Sequence, residues 1–265
     1  MTLFQSFLLG IIQGLTEFIP ISSTGHLLIA QRLLGIPASD EVFSFLVIVQ
    51  LGTLVSLFAF YWKELISIAK AVLMFRNPTP ERDLGFHIII ATIPALIVGF
   101  LFNNLVERLF QDPFLQASIR LFTAAILMSF AERFSTRTRQ LDSMRWYDAI
   151  FVGLMQILAV FPGASRSGTT ISGGMLLGLD RPSAARFAFL MAIPIMLAAG
   201  GYETLDVIQM DNTRELLPVF AVGFITAAVV GWFSIKWLID YISRRSLYVF
   251  AIYCAIVGTI VFLLR

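Results

Sequence analysis

Six apolar stretches govern what this chain can become. Residues 42–62, 86–106, 114–131, 184–202, 216–238 and 247–264 are each close to the about 20 residues that a helix needs to cross a hydrocarbon core of roughly 30 Å. They lack the polar stripe that a soluble helix turns toward water, so they must be greasy on all sides. Composition agrees: 14% of the residues are charged, against about 25% in a soluble domain. Hydrophobic side chains make up 58% of the chain, and the mean hydropathy is +0.84. The sequence therefore predicts an all-α polytopic membrane protein, a single membrane domain over 1–265. A net charge of +2, with the basic residues in short segments between apolar runs, argues against a nucleic-acid partner.

Two further apolar regions are interrupted. Residues 4–30 are broken by Pro20 and the polar run SSTGH, and residues 149–179 by FPGASRSGTT. Irregular backbone at membrane depth survives only where protein or a wet cavity covers it. Each region is therefore expected to be a re-entrant hairpin, two half-helices joined by a polar loop facing a cavity.

The two halves repeat this order. Gln13, Pro20 and SSTGH are echoed by Gln156, Pro162 and SRSGTT, and three apolar spans follow each motif. The last span of each half opens on related segments, SIRLFTAA and SLYVFAIY. A hairpin plus three crossings is an odd number of crossings, so repeats over 1–133 and 147–265 should have inverted topology. Segments 63–85, 132–148 and 239–246 carry ten basic residues, whereas 107–113 and 203–215 carry one each, Arg108 and Arg214. The positive-inside rule makes the first set cytoplasmic and puts both termini outside. Hairpin one then enters from outside and hairpin two from inside, with their polar tips meeting near the middle.

The tips hold the candidate chemistry. Gln13 and Glu17, four apart, share a helix face and can hold one ligand, ion or water between them. Ser22, Ser23, Thr24, Gly25 and His26 follow at the break. An ionisable group at membrane depth costs upward of about 2.5 kcal/mol, which makes Glu17 a functional candidate. Ser23, His26 and Glu17 together supply a nucleophile, a base and an orienting carboxylate. In the second motif Arg166 lies between Ser165 and Ser167, with Gly163 and Gly168 nearby and Thr169 and Thr170 next. Small residues, a helix N-terminus and a guanidinium suit a phosphate cradle.

Other polar residues read as structural. Arg120 and Arg186 lie near span ends and are expected to snorkel or pair internally. Gln50 suggests a hydrogen bond between helices. Tyr61, Trp62, Trp232 and Trp237 suit an interface belt. His87 and the single cysteine, Cys254, carry no site signal. No basic region or small-residue cleavage site precedes the first apolar run, so no cleaved signal peptide is expected.

Taken together, QGLTEFIPISSTGH and PGASRSGTT resemble the signature motifs of the bacterial undecaprenyl-pyrophosphate phosphatase family, the bacitracin-resistance proteins. The resemblance covers nearly the whole chain. It implies a multi-pass enzyme of the bacterial plasma membrane that removes the terminal phosphate of undecaprenyl pyrophosphate and recycles the carrier lipid for peptidoglycan synthesis. It carries the family's serine and histidine onto Ser23 and His26 and its arginine onto Arg166. The adjacent hydroxyls fall on Thr24, Ser165, Ser167 and Thr170. Where some members have two carboxylates, this chain has Gln13 and Glu17, leaving Glu17 as the carboxylate ligand for a divalent cation, Mg2+ or Ca2+. The lipid and the bilayer are the implied partners, with a homodimer left open.

Residues and resemblance together suggest that Arg166 holds the pyrophosphate while Ser23 attacks, with His26 as base and Glu17 orienting it or the metal. His26 as nucleophile is the alternative. An inverted-repeat transporter or flippase of an anionic lipid is the competing class. An acid-phosphatase-type membrane enzyme would need a histidine after Arg166, and the chain has none. The site is expected to open on the extracytoplasmic side.

Overall fold

The computed structural model describes residues 1–74, 78–102, 112–160, 164–208 and 213–265. Among them are ten α-helices. The first half holds α1 (Leu3–Thr16), α2 (Ser23–Leu33), α3 (Asp40–Leu73), α4 (Pro80–Leu101) and α5 (Pro113–Phe134). The second holds α6 (Trp146–Val160), α7 (Arg166–Leu176), α8 (Arg181–Ile208), α9 (Thr213–Arg244) and α10 (Tyr248–Leu263). Five of these, α3, α4, α5, α8 and α9, are long and apolar enough to cross a membrane. The sixth expected span, 247–264, forms α10, whose 16 residues reach only about 24 Å.

Local sequence explains where the helices start. Thr2 and Gln5 form a reciprocal capping box on α1. Ser39, Thr79 and Asp112 each accept a backbone N–H at the start of α3, α4 and α5. Pro80 and Pro113 occupy the first helical turn, where a missing N–H costs nothing. The helix α3 runs 34 residues, about 51 Å, so much of the segment expected as the loop 63–85 continues the helix beyond the apolar span. The end of the expected span 86–106, together with Arg76, Arg108 and Gly163, lies outside the described residues.

Both interrupted regions are paired half-helices: α1 packs on α2, and α6 on α7. Each first arm also packs on a crossing from the other half, α1 on α9 and α6 on α4. Small residues permit this close approach. A Cβ on Gly14 would stand 2.9 Å from the Ala227 carbonyl oxygen, and one on Gly153 2.4 Å from that of Ala91. Both α2 and α7 rest on α5, and α5 lies along α10.

Polar contacts sort the helix ends into two groups. Glu132 at the end of α5 accepts hydrogen bonds from Arg181 at the start of α8 (2.6 Å) and from the Leu247 N–H before α10 (2.7 Å). Arg186 of α8 pairs with Glu64 in the far part of α3 (2.7 Å), and Arg139 donates its N–H to Gly178 after α7. At the opposite end Asp112 meets Arg265 (2.5 Å), Gln5 reaches the Leu34 carbonyl (3.2 Å), and Ser6 reaches that of Val219 (2.6 Å). Both chain termini therefore belong to this second group, and the basic segments described belong to the first.

Of the expected belt residues, Trp62 and Trp237 are exposed, but Tyr61 is buried against Phe60. The aliphatic and aromatic surface around Tyr61 closes over its ring, so it is a core residue. Cys254 is also buried, with its thiol toward the Pro20 carbonyl.

Candidate active site

The first break is set by Pro20. Its ring cannot donate to Thr16 and clashes with that carbonyl, and α1 ends at Thr16. Glu17 continues the last turn of α1 as its C-cap, and the turn over 17–20 leads to Ser22, which caps α2. Ser22 has φ +68°, a region a non-glycine residue seldom occupies and one that clusters at functional sites. Its side chain accepts the Gly25 N–H and caps α2. In the second hairpin Ser165 does the same for α7, accepting the Gly168 N–H at 3.3 Å.

Both caps border one cavity of about 400 Å³. Its polar wall is built from Gln13 and Glu17 of hairpin one, Ser22, Ser23 and Thr24 at its tip, and Ser165, Arg166 and Ser167 of hairpin two. Its apolar wall is formed by Leu27 and Leu28 of α2 with Phe43, Leu46 and Val47 of α3. Two helix N-termini, each with unpaired backbone N–H groups and a partial positive charge, thus face the same space.

Glu17 is the hub. One carboxylate oxygen, Oε1, pairs with the Arg166 guanidinium across the hairpin tips. The other, Oε2, accepts the Ser23 hydroxyl at 2.6 Å and the Gln13 amide at 3.0 Å. Gln13 also approaches Thr53 of α3 at 3.4 Å, which leaves its amide oxygen without a hydrogen bond among the described residues. The hydroxyl of Ser167 reaches toward the Ile19 carbonyl at 3.4 Å, a second link between the tips.

His26 does not join this group. Its Nδ1 donates to the Ser22 carbonyl at 2.9 Å, and its Nε2 bonds the Tyr253 hydroxyl of α10 at 2.8 Å, with the two rings stacked. In the neutral ring Nε2 is then the acceptor and has no lone pair left for Ser23. The expected Ser23–His26 contact is replaced by Ser23–Glu17. The cause is the ring's own bonds: three positions apart on α2 the two side chains could meet, but the Ser22 carbonyl and the Tyr253 hydroxyl hold the His26 ring toward α10 while the Ser23 hydroxyl faces the cavity.

Three other expected contacts lie off the cavity. Gly25 and Gly168 instead allow α2 and α7 to approach Ala117 and Ala124 of α5. The Thr170 hydroxyl bonds back to the Arg166 carbonyl at 2.8 Å. Conversely, Arg120 and Gln50, expected to be structural, both line the cavity. Arg120 bonds the Ala164 carbonyl at 3.1 Å. Its position was legible in principle, since it sits seven residues inside α5, too deep to reach the helix end easily. Arg186 pairs with Glu64 at an exposed position near the helix end.

Among the described residues no three His, Cys, Asp or Glu side chains converge as a metal site, and Glu17 is the one carboxylate lining the cavity. That donor set does not make a closed protein cage. It fits a hard cation shared with substrate phosphates, since Mg2+ is commonly held by one or two carboxylates plus phosphate oxygens.

Fold and cavity define a polytopic membrane protein with a charged pocket at the meeting point of two broken helices. The chain belongs to the family described as bacitracin resistance protein BacA, which it matches over residues 6–260. It is 38% identical over 273 residues to the undecaprenyl-diphosphatase of Alkaliphilus metalliredigens, covering 99% of this chain and 98% of that one. It is 41% identical over 266 residues to that of Gemmatimonas aurantiaca (99% and 97%). It is 37% identical over 275 residues to that of Methanobrevibacter smithii (99% and 98%).

Proposed function

We propose that this chain hydrolyses undecaprenyl pyrophosphate to undecaprenyl phosphate and inorganic phosphate within the bilayer, returning the carrier lipid to cell-wall polymer synthesis. The observation that carries the reading is the continuous contact Ser23–Glu17–Arg166 on the wall of one cavity.

In this mechanism Glu17 takes the proton of the Ser23 hydroxyl, the role a catalytic-loop aspartate plays in kinases. Ser23 Oγ bonds to the terminal phosphorus as the bond from that phosphorus to the bridging oxygen breaks. The lipid monophosphate leaves with the electron pair, and water then hydrolyses the phosphoserine. Arg166 and the N–H groups that open α7 neutralise the oxygens of the transferred group; preorganised charge of this kind is often the largest single contribution to catalysis. A Mg2+ or Ca2+ ion would be held by Glu17 and the Gln13 amide oxygen together with substrate phosphates, and would supply further charge neutralisation. His26 positions the tip of α2 through Tyr253.

The apolar wall suits the polyprenyl tail. Drawing a C55 chain into water would cost about 0.8 kcal/mol per CH2, so the head group must be taken from the bilayer.

We further read the halves as two inverted repeats in one domain, 1–133 and 147–265. The shared helix order supports this, as do the reciprocal packing of α1 on α9 and α6 on α4 and the attachment of the hairpins to opposite groups of helix ends. With the basic segments cytoplasmic, both termini lie outside. The cavity is lined by the first third of α3, which belongs to the end that carries the termini, and this favours an extracytoplasmic opening.

The test is phosphate release from undecaprenyl pyrophosphate by purified protein, with and without chelator. Release that chelation suppresses and Mg2+ or Ca2+ restores is expected. Lipid translocation without phosphate release would replace the phosphatase reading with transport.

A further inference from the structure

Arg120 is a cation with no carboxylate partner among the described residues. On the wall of the cavity the charged side chains are Glu17, Arg120 and Arg166. Glu17 neutralises Arg166 through their ion pair. Arg120 makes one hydrogen bond, from Nη1 to the Ala164 carbonyl, and forms no salt bridge among the described residues. Its Nε is buried without a partner among the described residues. Arg120 is half-buried with its Nε cut off from water, and an anion in the cavity would engage the donors that face it. The sum over the lining is one negative and two positive charges, an excess that a diphosphate would reverse.

We propose that Arg120 binds the lipid-proximal phosphate, the one that stays on the product, and stabilises the negative charge it gains as it leaves. This rests on the phosphatase reading. The division of labour follows from the contacts. Ser23 and Arg166 are both bonded to Glu17 and form the group assigned above to the attacked phosphate, whereas Arg120 comes from a different helix, α5, and is bonded to none of them among the described residues. The Ala164 carbonyl holds one end of the guanidinium, leaving donors of the planar fork for phosphate oxygens. In the reaction the proximal phosphate is the leaving group, so the charge that develops on it is what a second arginine must meet.

The test reads binding of each product separately. Affinities for undecaprenyl phosphate and for inorganic phosphate are measured by calorimetry on the purified detergent-solubilised protein and on Arg120→Gln and Arg120→Lys. The expected result for Arg120→Gln is at least about tenfold weaker binding of the lipid monophosphate, with inorganic phosphate affected less than twofold. Arg120→Lys should recover part of the loss, because it keeps the charge and loses the fork. Unchanged affinity for both ligands would overturn the proposal, as would weaker binding of inorganic phosphate alone. If Arg120→Gln does not fold, Arg120→Lys decides by the same two affinities; failure of both to fold would make Arg120 structural and also overturn it. Because binding does not require turnover, absence of phosphate release by the unsubstituted protein would count against the phosphatase reading alone.

Discussion

Glu17 and Arg166, separated by 149 positions in the chain, form an ion pair that joins the tips of the two broken hairpins. The pair does two jobs. It neutralises a guanidinium withdrawn from water, and it holds the carboxylate against the hydroxyl of Ser23 at 2.6 Å.

Glu17→Gln removes the negative charge that both jobs need. The amide keeps the side chain's shape but cannot take a proton, so kcat should fall by about 10²–10⁴, the usual contribution of a positioned base. Steady-state phosphate release measures it. A variant retaining more than a tenth of the activity would assign the base elsewhere.

Covalent trapping addresses the nucleophile. With Ser23 on the cavity and both ring nitrogens of His26 engaged, rapid acid quench of enzyme turning over labelled diphosphate should place the label on Ser23. Peptide mapping reads the outcome; acid-labile phosphate on His26 would reverse the assignment, and no label on either would indicate direct attack by water.

Single cysteines test the orientation. Phe43 is exposed beside the cavity mouth, and Lys70 is exposed in the far part of α3. In a Cys254→Ala background, Phe43→Cys should react with an impermeant thiol reagent from outside intact cells, and Lys70→Cys only after permeabilisation. The opposite pattern would invert the topology.

Glu132 carries a stability prediction. It is 3% exposed and takes hydrogen bonds from Arg137, Arg181 and the Leu247 N–H, tying α5 to α8 and α10. Breaking a buried pair leaves the partner charge uncompensated and costs about 3–5 kcal/mol; because Arg137 and Arg181 both reach solvent in part, Glu132→Ala should cost about 3 kcal/mol, near the lower bound. Thermal unfolding in detergent should show a lower midpoint, with activity at low temperature largely kept. An unchanged midpoint would make the network dispensable.

Much of the fold is written in local sequence. Apolar runs of membrane length fix the crossings, and Pro20 between a greasy run and SSTGH marks the first break. Two extents were not legible there. The run of α3 past Trp62 into Leu73 is built from residues that helices accept but membranes do not require. Tyr61 looks like a belt residue until neighbouring helices cover it.

The site divides in the same way. Residue types and spacing pick out Glu17, Ser23 and Arg166, because a carboxylate, a hydroxyl and a guanidinium are costly among apolar neighbours and must have company. They do not say which partner each takes. His26 is three residues from Ser23 on one helix, yet its ring goes to Tyr253, 227 positions away. Arg120 joins the cavity only because α5 lies beneath both half-helices. By itself the sequence determined that this chain is a membrane protein with two polar breaks, since burial of backbone and charge in hydrocarbon is constrained residue by residue. Tertiary structure alone decided that Glu17 faces Ser23 and Arg166 and that His26 does not, because helix packing sets which side chains share the cavity.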